Sequence, residues 1–77
     1  MTWYRVYKVK NIYGKPSFSR EYGTYDRKDA FTYAEQLAEA ELVKVEIEAE
    51  RPLGGGRGLT STFWHYDPKA EREWIKH

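Results

Sequence analysis

Residues 42–50 read Leu-Val-Lys-Val-Glu-Ile-Glu-Ala-Glu, and from Val43 the pattern alternates without error. Val43, Val45, Ile47 and Ala49 share one parity; Lys44, Glu46, Glu48 and Glu50 share the other. Successive side chains on a strand point to opposite faces, so the stretch predicts a strand with one buried and one wet face. A strand covered on both sides would read as a continuous apolar run instead. The rest of the chain has to supply one layer over that apolar row and neighbours on either side of it.

The material for this is limited. The chain has 77 residues, the size of one domain, and a chain so short buries only about 60% of its unfolded surface. It has no cysteine, so neither a disulfide nor a thiolate metal site supports it. It does have three Trp, seven Tyr and three Phe, and each such ring buries roughly 150–250 Å². Most of these rings are therefore expected to be structural. No apolar run approaches membrane-spanning length and the start lacks a signal-peptide core, so a cytoplasmic protein with no membrane partner is expected.

The net charge is only +1, but it is segregated: net +5 over residues 1–28, −6 over residues 29–50 and +2 over residues 51–77. Bulk charge therefore does not mark a nucleic-acid binder.

Residues 2–13 are aromatic and β-branched and predict a first strand with imperfect alternation: either both its faces carry apolar groups or a bulge shifts the phase near Val6. Gly14-Lys15-Pro16-Ser17 predicts a turn and residues 18–25 a second strand. Asp26 is a good N-cap, with Asp29 placed as in a capping box, and Ala30, Ala34, Leu37 and Ala38 follow at helical spacing to about Glu41. After the central strand, residues 51–58 hold four glycines in five positions and predict a flexible loop. Residues 59–66 predict a fourth strand. Residues 67–77 admit two readings: a helix capped by Asp67 with Pro68 in its first turn, or a turn followed by a short edge strand at residues 72–75. The strand is favoured, because adjacent Trp74 and Ile75 suit an edge pinned by one ring.

Chain direction then makes the central strand antiparallel to the first. Opposite charges across a strand pair contribute about 0.2–1 kcal/mol each, and Lys8 and Lys10 are expected to face Glu46, Glu48 and Glu50. The predicted fold is a single α+β domain over residues 1–77: one antiparallel sheet of four to five strands, order 2-1-3-4-5, with one helix on one face.

Catalytic and metal signals are absent from the sequence. There is no Walker motif, nucleophile elbow or His-Glu-x-x-His, and the only histidines are His65 and His77. The glycine loop lacks the Lys-Ser/Thr and the following helix of a phosphate cradle. No enzyme, cofactor or metal is expected. The leading expectation is a non-enzymatic module acting through protein–protein contacts, with Trp64, Tyr66 and Tyr4 as an exposed aromatic row on the face away from the helix. Its particular form would be a phage or mobile-element protein that docks on and inhibits a host nucleoprotein. The alternative is a nucleic-acid-binding protein that uses Arg5, Lys8, Lys10, Lys15 and Arg20 of the first hairpin, with Tyr4, Tyr7 and Tyr13 interleaved to stack bases, and Arg51 and Arg57 at the glycine loop.

Overall fold

The computed structural model describes residues 1–77. The central stretch is strand β3 (Lys44–Pro52), with Val45, Ile47 and Ala49 buried as the alternation requires. It lies between β1 (Trp3–Ile12) and β4 (Leu59–Tyr66), antiparallel to both. β2 (Lys15–Thr24) flanks β1, and β5 (Ile75–Lys76) flanks β4. The result is one five-stranded antiparallel sheet in the order β2-β1-β3-β4-β5 with a single helix, α1 (Arg27–Glu41), as the sequence predicts.

The helix begins where Asp26 accepts a hydrogen bond from the Asp29 amide at 3.2 Å. Asp29 does not complete a capping box. Its carboxylate accepts from the Tyr22 hydroxyl at 2.5 Å, and the Asp26 amide donates to Thr24 Oγ1 at 3.1 Å. The helix stops without a glycine: Leu42 takes the left-handed conformation (φ 53°), and the Val43 amide donates to the Ala38 carbonyl at 3.2 Å. This 6→1 bond is the Schellman closure, and it turns the chain straight into β3.

Ala30, Ala34 and Ala38 recur every four residues and are fully buried against a core that includes Val6, Val45 and Ile47. Methyl-sized side chains let the helix lie close on the sheet, leaving space along its two flanks. Rings fill both. On the β2 side Tyr22 stacks on Tyr33 with centroids 4.1 Å apart. On the β4 side Phe31 meets Trp64 at 5.4 Å and Trp74 at 4.7 Å, and Trp74 reaches Tyr66 at 5.3 Å. Arg27 caps this cluster, its guanidinium 4.7 Å from the Phe31 ring and 5.0 Å from the Trp64 ring.

The expected aromatic row is thereby corrected. Tyr4 and Tyr66 are buried and Trp64 is half-buried, all on the helix side. Tyr4 stands opposite Ala49 and Trp64 opposite Ile47, positions whose parity β3 fixes as inward. The space beside an alanine seam demands wide rings, and these supply them. The Tyr66 hydroxyl donates to Glu39 at 2.5 Å, and that bond together with burial raises its pKa to about 12.

Four local expectations also shift. The first turn is Tyr13-Gly14, both with positive φ (52° and 79°), not residues 14–17. Positive φ at both central residues is the type I′ pattern that suits a two-residue hairpin. Pro16 then lies within β2, where an edge strand tolerates its missing N–H. The bulge is real, but its extra residue is Glu21 on β2: Val6 pairs with Tyr22 and Tyr7 with Arg20. β1 therefore keeps an unbroken phase against β3. The glycine segment is a closed turn, with the Leu53 amide on the Gly58 carbonyl at 2.8 Å and a 3-10 turn at Gly54–Gly56. The tail forms the favoured edge strand, but at Ile75–Lys76 rather than residues 72–75. Trp74 falls just outside it and serves the core.

Two outcomes test this packing. Ala34→Leu should lower the unfolding free energy by about 1–3 kcal/mol in urea denaturation, while Thr32→Leu on the exposed side should stay within about 0.5 kcal/mol of the parent. Ultraviolet titration should find a phenol ionising near pH 12 that Tyr66→Phe removes. Because the folded state keeps a proton that the unfolded chain loses from pH 10, the stability from Tyr66 should disappear between pH 10 and about 12.

Candidate functional site

The helix covers one face of the sheet; the other has no second layer. Parity assigns that open face Trp3, Arg5, Tyr7 and Val9 from β1, and Lys44, Glu46, Glu48 and Glu50 from β3. β2 adds Phe18, Arg20 and Gly23, and β4 adds Leu59, Ser61, Phe63 and His65. The Trp3 ring lies over Gly23, where a Cβ would come within 2.5 Å of it, and meets Tyr25 edge-on at 4.6 Å.

The glutamates do face a cross-strand cation, but it is Arg5. Lys8 stands opposite Val45 on the helix side, and Lys10 lies beyond the end of the β1–β3 pairing. The unbroken phase of β1 turns Lys8 to the helix side, and β3 begins at Lys44, opposite Val9 and one residue short of Lys10. Arg5 sits opposite Glu48, its Nη2 3.2 Å from Glu50 and its Nη1 3.6 Å from Glu48. Lys8 instead pairs with Glu41 at the end of α1, at 2.9 Å, and this bond raises its pKa. A cation there offsets a carboxylate placed at the unfavourable end of the helix dipole.

Glu48 is held from three sides: by Arg5, by the Tyr7 hydroxyl at 3.1 Å and by the Ser61 hydroxyl at 3.0 Å. Burial, then the bond to Glu48, raises the Tyr7 pKa, so the phenol remains a donor. Tyr7 also meets Phe18 edge-on at 6.3 Å. Phe63 is the residue opposite Glu48 on the far side of β3. Together Tyr7, Phe18, Phe63, Glu46 and Glu48 line a shallow cleft of about 370 Å³ across the middle of the face.

The sequence-predicted basic residues are not gathered. Arg5 and Arg20 are on the open face, and Lys8 is on the helix side. Lys10 and Lys15 flank the tip of the first hairpin, while Arg51 and Arg57 are at the opposite end of the sheet, where Arg57 Nε donates to the Gly54 carbonyl at 3.1 Å. Sequence reasoning missed Tyr7, Phe18, Glu46 and Phe63 as one group. The signal was the odd parity that Trp3, Tyr7 and Val9 share, which becomes an outward face once β1 is laid against β3.

At the β4–β5 edge, His65 Nδ1 and His77 Nε2 are 2.6 Å apart, and the His77 amide donates to the Phe63 carbonyl at 2.9 Å. Lys44 and Glu46 of β3, and Asp67 and Glu71 after β4, surround the pair. Burial, with Lys44 and His77 alongside, holds the His65 imidazole below its ordinary 6.5 against the opposing pull of Glu46 and Asp67. No three His, Asp or Glu side chains are grouped as metal ligands, and no helix is long and apolar enough to cross a membrane. No family model, curated protein or solved structure matches the chain.

The histidine pair yields a pH prediction. Below pH 6.5 the unfolded chain takes up a proton that folded His65 resists, so stability should fall as pH drops from 6.5 toward its lower folded value. Urea midpoints measured across that window should decline, and His65→Gln should flatten the decline; an unchanged slope would rule out His65 as its source. A separate loss should follow below pH 4.5, where Glu39 gives up the bonds to Tyr66 and Arg72 that hold its pKa down.

Proposed function

We propose that the protein is a non-enzymatic binding module that engages a protein partner through the open face of its sheet. The observation that carries this reading is a sheet face left without a second layer although it bears large rings. Phe18 is 53% exposed there, with Tyr7 and Phe63 half-buried beside it. Contiguous aromatic surface rimmed by charge marks an interaction site, and aromatic and arginine side chains are the usual anchors. The central glutamate row argues for protein over nucleic acid, since a phosphate backbone laid on those rings would meet three carboxylates. An inhibitor made by a phage or mobile element, docking on a host nucleoprotein, is one form such a module takes. It fits here because nucleoproteins present basic surfaces.

One observation favours a second reading. Beyond Val9, β1 pairs only with β2, so a two-stranded ribbon projects from the sheet with every residue from Lys10 to Ser17 exposed. Tyr13 at its tip is 100% exposed. The ion pairs of the chain use only Arg5, Lys8 and Arg72 as cations, leaving Lys10, Lys15 and Arg20 unpaired. At the ribbon's base Lys10, Lys44 and Lys69 line a hollow of about 470 Å³ with Val9, Pro16 and Leu42. A basic ribbon is a shape that the major groove admits.

A photo-crosslinking residue placed in turn at Phe18, Phe63, Tyr13 and Gln36 separates the readings. Protein adducts in the producing cell concentrated several-fold at Phe18 and Phe63 would support the open face. Nucleic-acid adducts concentrated at Tyr13 would support the ribbon instead. Equal yields at Gln36, on the exposed side of α1, would overturn both.

A further inference from the structure

We propose that the cleft between Tyr7, Phe18 and Phe63 is a receptor for a cationic side chain, an arginine or lysine projecting from a basic partner surface. This rests on the open face being the docking surface and specifies what that face recognises.

Three features converge on a cation. The walls are aromatic rings from β1, β2 and β4, and a ring face attracts a cation within about 6 Å of its centroid. The floor carries two carboxylates, from Glu46 and Glu48. They are not equivalent. Glu48 is spent on Arg5, Tyr7 and Ser61. Glu46 is half-buried, and no side chain of the protein bonds or pairs with it. The floor thus holds one neutralised and one unneutralised carboxylate beneath three rings.

The molecule's own cations are directed elsewhere. Arg5 is bonded to Glu50. Arg20 stands opposite Tyr7 with its guanidinium beside Gly23; its charge reaches the Tyr7 hydroxyl, but it does not line the cleft or pair with Glu46. Lys44 is in the Val9 row at the margin of the face and lines the hollows near Asp67. A simple apolar partner would leave the Glu46 carboxylate desolvated and unpaired, which costs free energy. An anionic partner would meet it directly. A guanidinium or ammonium satisfies it while stacking on the walls. Arginine suits the site better of the two, because its plane can lie on a ring while its edge donates to a carboxylate.

The fixed donors around Glu48 make the site preorganised. Tyr7 is held by its own hydroxyl bond and by its contact with Phe18, so one wall is in place before any ligand arrives. A Tyr7→Phe exchange would therefore keep the ring but loosen it.

The test is an amide-resolved NMR titration of the whole chain with three octapeptides: a Gly-Arg repeat, the same repeat with citrulline for arginine, and a Gly-Glu repeat. The expected result is saturable shifts at residues of the cleft with the arginine peptide alone. Glu46→Gln combined with Phe63→Ala should weaken that binding about tenfold, the product of one exposed ion pair and one cation–π contact. Phe63→Leu alone, which retains the packing volume, keeps the test valid if the double variant is poorly folded; it should weaken binding about two- to fivefold. Equal shifts from the citrulline peptide would overturn the cationic receptor but leave the open face as a docking surface. No shifts with any peptide would overturn the cationic receptor alone, and arginine-peptide shifts confined to the ribbon tip or the helix would overturn both. Arginine-peptide binding that survives both variants unchanged would overturn the cleft as the seat of recognition.

Discussion

Everything in this fold depends on how closely α1 lies on the sheet, and that is set by three methyl groups. Ala30, Ala34 and Ala38 leave no side-chain depth between the helix backbone and Val6, Val45 and Ile47. A small domain gains from this because dispersion contacts are short-ranged and a gap of even one ångström forfeits much of their strength. The narrow seam also dictates where the large residues go. They cannot sit beneath the helix, so they stand beside it: Tyr22 and Tyr33 on one flank, Phe31, Trp64, Trp74 and Tyr66 on the other. The core is a thin aliphatic strip between two aromatic shoulders.

Much of the fold was legible in the sequence, and for definite physical reasons. Period two in residues 43–50 gave β3 and its buried face, period four in the alanines gave the helix, and Asp26 marked its start. Charge segregation pointed to β1 as the neighbour of β3, although the cation that meets the glutamates is Arg5 and not Lys8 or Lys10. Parity where both faces are aromatic was harder. In β4, Leu59 and Phe63 compete with Trp64 and Tyr66 for the inward side, and intrinsic hydrophobicity does not decide between them. The answer depends on the shape left by a helix that the sequence of β4 does not mention. In β1 the imperfect alternation left two readings open, a strand apolar on both faces or a bulge; the strand is apolar on both faces, and the extra residue of the bulge belongs to its partner. Irregularity in a pair shows that one of two strands is longer, not which.

The candidate site follows from the same cause. With Tyr4, Trp64 and Tyr66 on the helix side, the rings left for the open face were those of opposite parity: Trp3, Tyr7, Phe18 and Phe63. The glutamates that pointed to the neighbour of β3 then form the floor between those rings. Arg5 answers two of them and leaves Glu46 free. A structural charge ladder that stops one rung short becomes a surface with a preference.

The shortness of β5 has a different consequence. It pairs only with Trp64 and His65, so the flank of β4 from Leu59 to Thr62 ends in unfilled main-chain hydrogen-bonding positions. That stretch is Leu-Thr-Ser-Thr, uncharged and rich in β-branched residues, with Leu59 63% exposed. The opposite margin of the sheet, β2, is guarded by Lys15, Pro16 and Arg20. Such asymmetry makes one side of the molecule a template onto which a further strand can grow, and the other side a terminus. The two margins of the sheet are thus unlike: an added strand finds uncharged main chain at β4, and charged side chains and a proline at β2.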